Sequence, residues 1–182
     1  MVIWLLDHGA NPNSRCDWDF TPTSYAMLAA PLEIVDYIFQ RGANPLCGQL
    51  LHYAVLRDKP DALEVVRRLV EKGAPINEIK YENELKTYIE REPFGLGTPL
   101  HRAAEFGKVV IVEYLLEMGA DSLKLDSKKR TPCFWAEKNG FAEVVRALKE
   151  AENLQRERAT LVLFRAKSRL GISRCHQALP QH

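Results

Sequence analysis

Apolar residues in this chain fall in short runs at helical spacing, divided by polar connectors of recurring composition. Tyr25-Ala26-Met27-Leu28-Ala29-Ala30 and Leu100-His101-Arg102-Ala103-Ala104 read as one kind of helix, small and apolar. Leu32-Glu33-Ile34-Val35, Leu63-Glu64-Val65-Val66, Val109–Leu116 and Ala142-Glu143-Val144-Val145 read as a second kind, apolar on one face and charged on the other. Breaks at Gly107 and Gly140 separate the two kinds. Val2–His8 matches the second kind with no first helix before it in the sequence.

The punctuation is periodic. Gly-Ala returns at 9–10, 42–43, 73–74 and 119–120, and Thr-Pro at 21–22, 98–99 and 131–132. From Gly9 to Thr21 is 12 residues, as it is from Gly119 to Thr131; from Thr21 to Gly42 is 21, as it is from Thr98 to Gly119. The two spacings add to a 33-residue period. Thr before Pro starts a helix, since the hydroxyl caps free amides and Pro presets φ in the first turn. Glycine after the second helix suits the left-handed residue that closes it.

Thr98-Pro99-Leu100-His101-Arg102-Ala103-Ala104-Glu105-Phe106-Gly107, running on to Leu115-Leu116-Glu117-Met118-Gly119-Ala120-Asp121, closely resembles the ankyrin repeat in period and in the Thr-Pro-Leu-His-x-Ala pattern. The resemblance covers residue 1 to about residue 152. It implies an all-α ankyrin-repeat solenoid of stacked antiparallel helix pairs with short hairpin-like connectors: half a unit, then about four.

Several units depart from the pattern. The third has Gln49-Leu50-Leu51-His52-Tyr53-Ala54 where Thr-Pro is expected, with a longer turn at Arg57-Asp58-Lys59-Pro60-Asp61. The connector from Gly73 to Thr98 carries an insertion near residues 80–92, charged but with Tyr81, Leu85, Tyr88 and Ile89 at near-helical spacing. In the fifth, Phe134 stands in place of the usual His. Residues 153–182 leave the pattern and carry a net charge of +5, against −4 for residues 1–152. They are expected to form either a basic capping helix, with Leu154, Leu161, Val162 and Phe164 covering the last unit, or a disordered tail.

Composition narrows the function by exclusion. The chain has 182 residues, 46% of them apolar and 27% charged, with 25 basic and 24 acidic side chains. That balance gives no reason to expect nucleic-acid binding, and the basic tail lacks interleaved aromatics. No apolar run approaches the ~18 residues of a membrane span, and Met1–Leu6 lacks the basic start of a secretory signal. Cys16, Cys47, Cys133 and Cys175 form no paired metal motif and are expected to be small, partly buried, reduced thiols of an intracellular protein, cytoplasmic or nuclear.

No catalytic constellation is present and no cofactor is implied. Asp17 and Asp19, flanking Trp18, read as turn residues. The resemblance makes His52 and His101 structural, each ring bonding the Thr-Pro turn and tying neighbouring units. What remains is surface. In the family, connector tips and first helices bind other proteins, and the matching positions here are Asp17, Trp18 and Phe20, then Leu28 and Ala29, then Phe94, Glu105 and Phe106. In the fifth unit they are Ser127, Lys128, Arg130, Lys138 and Asn139. The expected function is therefore non-enzymatic protein binding by a monomer, as scaffold or adaptor. The alternative is the recognition part of a larger enzyme or membrane protein.

Overall fold

The computed structural model describes residues 1–16 and 20–169, with only the backbone of 167–169. Asp17, Trp18, Asp19 and Cys175 lie outside the described residues. Among the described residues ten α-helices follow in order: α1 (Val2–Asp7), α2 (Pro22–Ala29), α3 (Leu32–Gln40), α4 (Leu50–Ala54), α5 (Ala62–Glu71), α6 (Leu85–Arg91), α7 (Pro99–Glu105), α8 (Val109–Glu117), α9 (Pro132–Lys138) and α10 (Ala142–Arg169). A 3-10 turn, Glu92–Phe94, follows α6.

The pairs α2–α3, α4–α5, α7–α8 and α9–α10 each pack on themselves. First helices stack in the series α2, α4, α7, α9, and second helices α5, α8, α10 stack beside them. Each unit thus buries its apolar faces only against its neighbours, as a solenoid does. The core runs between the two rows: Met27 and Val35, then Leu51, Val65 and Leu69, then Leu100, Val112 and Leu115, then Ala136, Val144 and Leu148.

The Thr-Pro starts work as local chemistry requires. Thr21 Oγ1 accepts the Ser24 N–H at 3.0 Å while Ser24 Oγ accepts the Thr21 N–H at 3.0 Å, a reciprocal cap. The third unit begins instead at Gln49 in the left-handed region, φ 56°. Gly48 before it lies against Thr21, whose Oγ1 would sit 2.5 Å from an added Cβ, so the close approach of the two units excludes a side chain there.

Connectors are tied by a repeated amide clamp. Asn13 Nδ2 donates to the Gly42 carbonyl at 2.9 Å and its Oδ1 accepts the Asn44 N–H at 2.8 Å. Asn77 does the same to Gly119 (3.1 Å) and Asp121 (2.8 Å). At the far end Gln155, from α10, accepts the Ser122 N–H and hydroxyl and donates to Asp121 Oδ1 at 2.6 Å. The long turn of the third unit holds a second tie. Arg57 is fully buried, forks onto both oxygens of Asp61 at 2.7 Å, and donates to the carbonyls of Met27 and Ala30 at 3.3 and 2.8 Å.

Two expectations need correction. Leu154, Leu161, Val162 and Phe164 do not cover the last unit: residues 142–169 contain neither Gly nor Pro, the chain continues straight as α10, and those side chains are exposed. Beyond the core residues Val144 and Leu148, the buried Glu152 and the Gln155 amide are what this helix gives the stack. In the insertion the near-helical spacing corresponds to α6, in which Leu85 and Ile89 are exposed and Thr87 is the buried residue. Cys16 is exposed, while Cys47 is half-buried and Cys133 buried; all three are free thiols. At the other end α1 packs on α3, with Val2, Ile3 and Leu5 exposed beside an open cleft of about 270 Å³ between α1, α2 and α3. No helix among the described residues is long and apolar enough to cross a membrane.

Candidate protein-binding surface

His52 and His101 set the geometry of the connector side. The Thr98 N–H donates to His101 Nδ1 at 3.1 Å, so that nitrogen is the acceptor and Nε2–H donates to the Arg130 carbonyl at 3.1 Å. His52 Nε2–H donates to the Gly97 carbonyl at 3.2 Å. Each ring joins one unit to the next connector. Burial holds the His101 pKa down to about 4, and burial with the Lys80 charge holds that of His52 to about 3, so both are neutral near neutrality. Gly97 is fitted to the His101 ring, 2.6 Å from where its Cβ would stand.

The residue before the small Ala of each first helix is less buried than that Ala: Tyr25 is exposed, Tyr53 is half-buried and packs on the edge of the core, and Arg102 and Trp135 are half-buried. Tyr25 is 59% exposed. Tyr53 meets Phe20 edge to face at 5.2 Å. Arg102 pairs with Glu105 at 2.6 Å. Trp135 lies between the Arg130 guanidinium, 4.2 Å from its ring, and the Lys138 ammonium at 4.9 Å, with its N–H on Asp126 at 3.0 Å. These side chains form one row of aromatics and cations along the first helices.

The positions expected from sequence sit around this row in different ways. Phe94 and Phe106 are 71% and 52% exposed, at the end of the 3-10 turn and of α7. Phe20 is half-buried. Ser127 spends its hydroxyl on the insertion, accepting from the Leu96 N–H and donating to the Glu92 carbonyl. Asn139 donates to the Glu105 carbonyl at 2.9 Å, and Lys128 is exposed. Arg130 and Lys138 flank Trp135, and Glu105 holds Arg102. Leu28 and Ala29 are half-buried at the end of α2. The sequence reading missed Tyr25, Tyr53, Arg102 and Trp135, although aligning the units on their small Ala places all four in one column.

The opposite face is different in kind. Arg68 joins Asp36 and Glu64, and Arg67 covers the Tyr114 ring at 4.7 Å, so these two outer arginines are each engaged by neighbours on the second helices.

The family model of ankyrin repeats matches residues 51–157 in three copies. The chain belongs to the ankyrin-repeat family. Among curated relatives, an alpha-latrocrustotoxin from Latrodectus tredecimguttatus is 29% identical over 129 residues, covering 66% of this chain and 8% of the relative. The putative E3 ubiquitin-protein ligase XBAT34 of Arabidopsis thaliana is 35% identical over 88 residues, covering 48% and 20%. An ankyrin repeat and LEM domain-containing protein 1 homolog of Caenorhabditis elegans is 28% identical over 108 residues, covering 59% and 13%. The chain therefore spans a fifth or less of the length of these relatives. Ankyrin repeats are protein–protein interaction modules, and among the described residues no group of three or more His, Cys, Asp or Glu is placed to hold a metal.

Proposed function

We propose that this ankyrin stack is a non-enzymatic docking module of an intracellular scaffold or adaptor, and that its partner protein lies along the connectors and first helices. The contrast between the two faces carries the reading. On the outer face Arg68 is held by Asp36 and Glu64, whereas the first-helix side exposes the aromatics Tyr25 and Phe106 and leaves Trp135 half-exposed between cations. Aromatics and arginine are the residue types that dominate interface hot spots.

Affinity capture with the full chain supplies a partner, and titration calorimetry then tests the face. Tyr25→Ala and Phe106→Ala should each weaken binding about 30-fold, the equivalent of ~2 kcal/mol for a buried interface aromatic, at unchanged melting temperature. Glu33→Ala and Arg146→Ala, on second helices, should leave it unchanged. The opposite pattern would move the partner to the outer face. A second reading, the recognition part of a larger enzyme or membrane protein, is supported by the lengths of the relatives, of which this chain matches 8–20%.

A further inference from the structure

One cation on the docking face stands apart from the others. Lys80, in the inserted connector, is fixed by its N–H to the Gly97 carbonyl at 3.1 Å. Its ammonium lies 4.3 Å from the centre of the Tyr53 ring and 5.1 Å from that of Tyr81. The charged and titratable groups facing it are the His52 and Tyr53 side chains of α4, Tyr81, Arg91 of α6 and Arg102 of α7. Every charge among these is positive, and His52 is neutral.

The nearby carboxylates are engaged elsewhere. Glu105 is held by Arg102, Glu84 by Arg15, Glu78 by Asn83, and Glu82 by the Ile79 N–H and Lys124. Among the described residues the Lys80 ammonium has neither a carboxylate partner nor a hydrogen-bond acceptor, yet it is not sealed from solvent. Burial and the guanidiniums of Arg102 and Arg91 hold its pKa down to about 8.

The backbone reinforces the arrangement. Tyr81 has φ 64°, the left-handed region that a bulky residue rarely enters, and its N–H is held there by Gln49 Oε1 at 2.9 Å. Such conformations persist where surrounding structure imposes them, and they gather at ligand clamps. Here the conformation sets a second aromatic wall beside an ammonium that has no counter-ion.

We propose that Lys80, walled by Tyr53 and Tyr81 and backed by Arg102, is a carboxylate subsite that takes an Asp or Glu side chain from an acidic segment of the docked partner. The inference rests on the docking-face reading above. A carboxylate arriving there meets an ammonium already stripped of much of its water, so the charge-assisted bond is stronger than at an ordinary surface lysine. It also relieves the repulsion among Lys80, Arg102 and Arg91.

The probes are the blocked tripeptide acetyl-Gly-Glu-Gly-amide, its Gln counterpart and inorganic phosphate. The full chain is reductively dimethylated with an isotopic label on its lysines, and the Lys80 signal is assigned by its loss in Lys80→Gln. The Glu peptide should move that signal to saturation and raise its titration midpoint by about one unit, a tenfold preference for the charged form. Binding should weaken as pH rises through the Lys80 midpoint, and the Gln peptide should do nothing. An absent or unsaturable response to the Glu peptide, an equal response to Gln, or tighter binding of phosphate overturns the carboxylate subsite. Should the Glu peptide fail while Tyr25→Ala and Phe106→Ala still release a captured partner, the subsite is wrong and the docking face stands. Should the Glu peptide bind while those variants keep the partner, the docking face is wrong and the subsite stands.

Discussion

Acid should loosen this stack before its carboxylates are neutralised, because two buried histidines must stay uncharged. His52 and His101 are 3% and 2% exposed, with folded pKa values of about 3 and about 4 against 6.5 in the unfolded chain. Both values are depressed, so below 6.5 the unfolded state binds more protons and stability falls with pH until the folded values are reached. Each histidine contributes up to ~1.4 kcal/mol per pH unit, and the pair up to ~2.7. From about pH 7 to about pH 5 the loss is on the order of 4 kcal/mol, a large part of the ~5–15 kcal/mol of a typical domain. Asp61, which the Arg57 guanidinium holds below its ordinary value, loses its contribution only in a lower window, below about 3.8. Urea unfolding followed by far-ultraviolet circular dichroism at stepped pH measures the slope. His101→Gln should cost stability at neutral pH and roughly halve the fall between pH 7 and 5. Flat stability across that window, or a slope unchanged in His101→Gln, would refute the neutral-clamp argument.

Arg57→Met should destabilise by about 3 kcal/mol or more in urea unfolding, since it leaves two buried carbonyls and a carboxylate without their donor; a cost below ~1 kcal/mol would mean that water replaces the guanidinium. Truncation after Glu152 removes the Gln155 clamp and should lower the melting temperature by a few degrees, whereas truncation after Arg158 should change stability by under ~0.5 kcal/mol, both read by calorimetry. Lys80→Met should raise stability by about 1–2 kcal/mol at neutral pH, after discounting for its solvent contact, because it removes a cation held among cations; a lower melting temperature would show that its contacts with Tyr53 and Tyr81 outweigh the repulsion.

What the sequence displayed, and what it hid, follow from how local each determinant is. Thr21 caps Ser24 and Thr98 caps onto His101 within one turn of chain, so the marker and the structure it makes lie three residues apart. A 33-residue period built from such markers carries over to the stacking, because every unit meets only its neighbours. Arg57 has no such local sign. Its burial depends on the carbonyls of Met27 and Ala30, 30 and 27 residues earlier, and a charged side chain reads as solvated until the fold supplies those acceptors. The insertion shows the same limit. Apolar spacing at Leu85 and Ile89 indicated a helix, but which face is buried depends on what α6 lies against, and that face carries Thr87.

The docking face is an intermediate case. The resemblance supplied the region and directed attention to aromatics at the tips, of which Phe94 and Phe106 are exposed and Phe20 is half-buried on Tyr53. The row of Tyr25, Tyr53, Arg102 and Trp135 occupies one column of the repeat, at the edge of the core, where side chains as different as Tyr, Arg and Trp are accommodated. Lys80 goes a step further, since it comes from outside the repeat and enters that row only because the insertion folds back onto Gly97. A solenoid's shared features keep its units together, and its departures from the repeat are where a particular partner can be selected. Here the largest departure places a cation without a counter-ion against Tyr53, in the most varied column of the first helices.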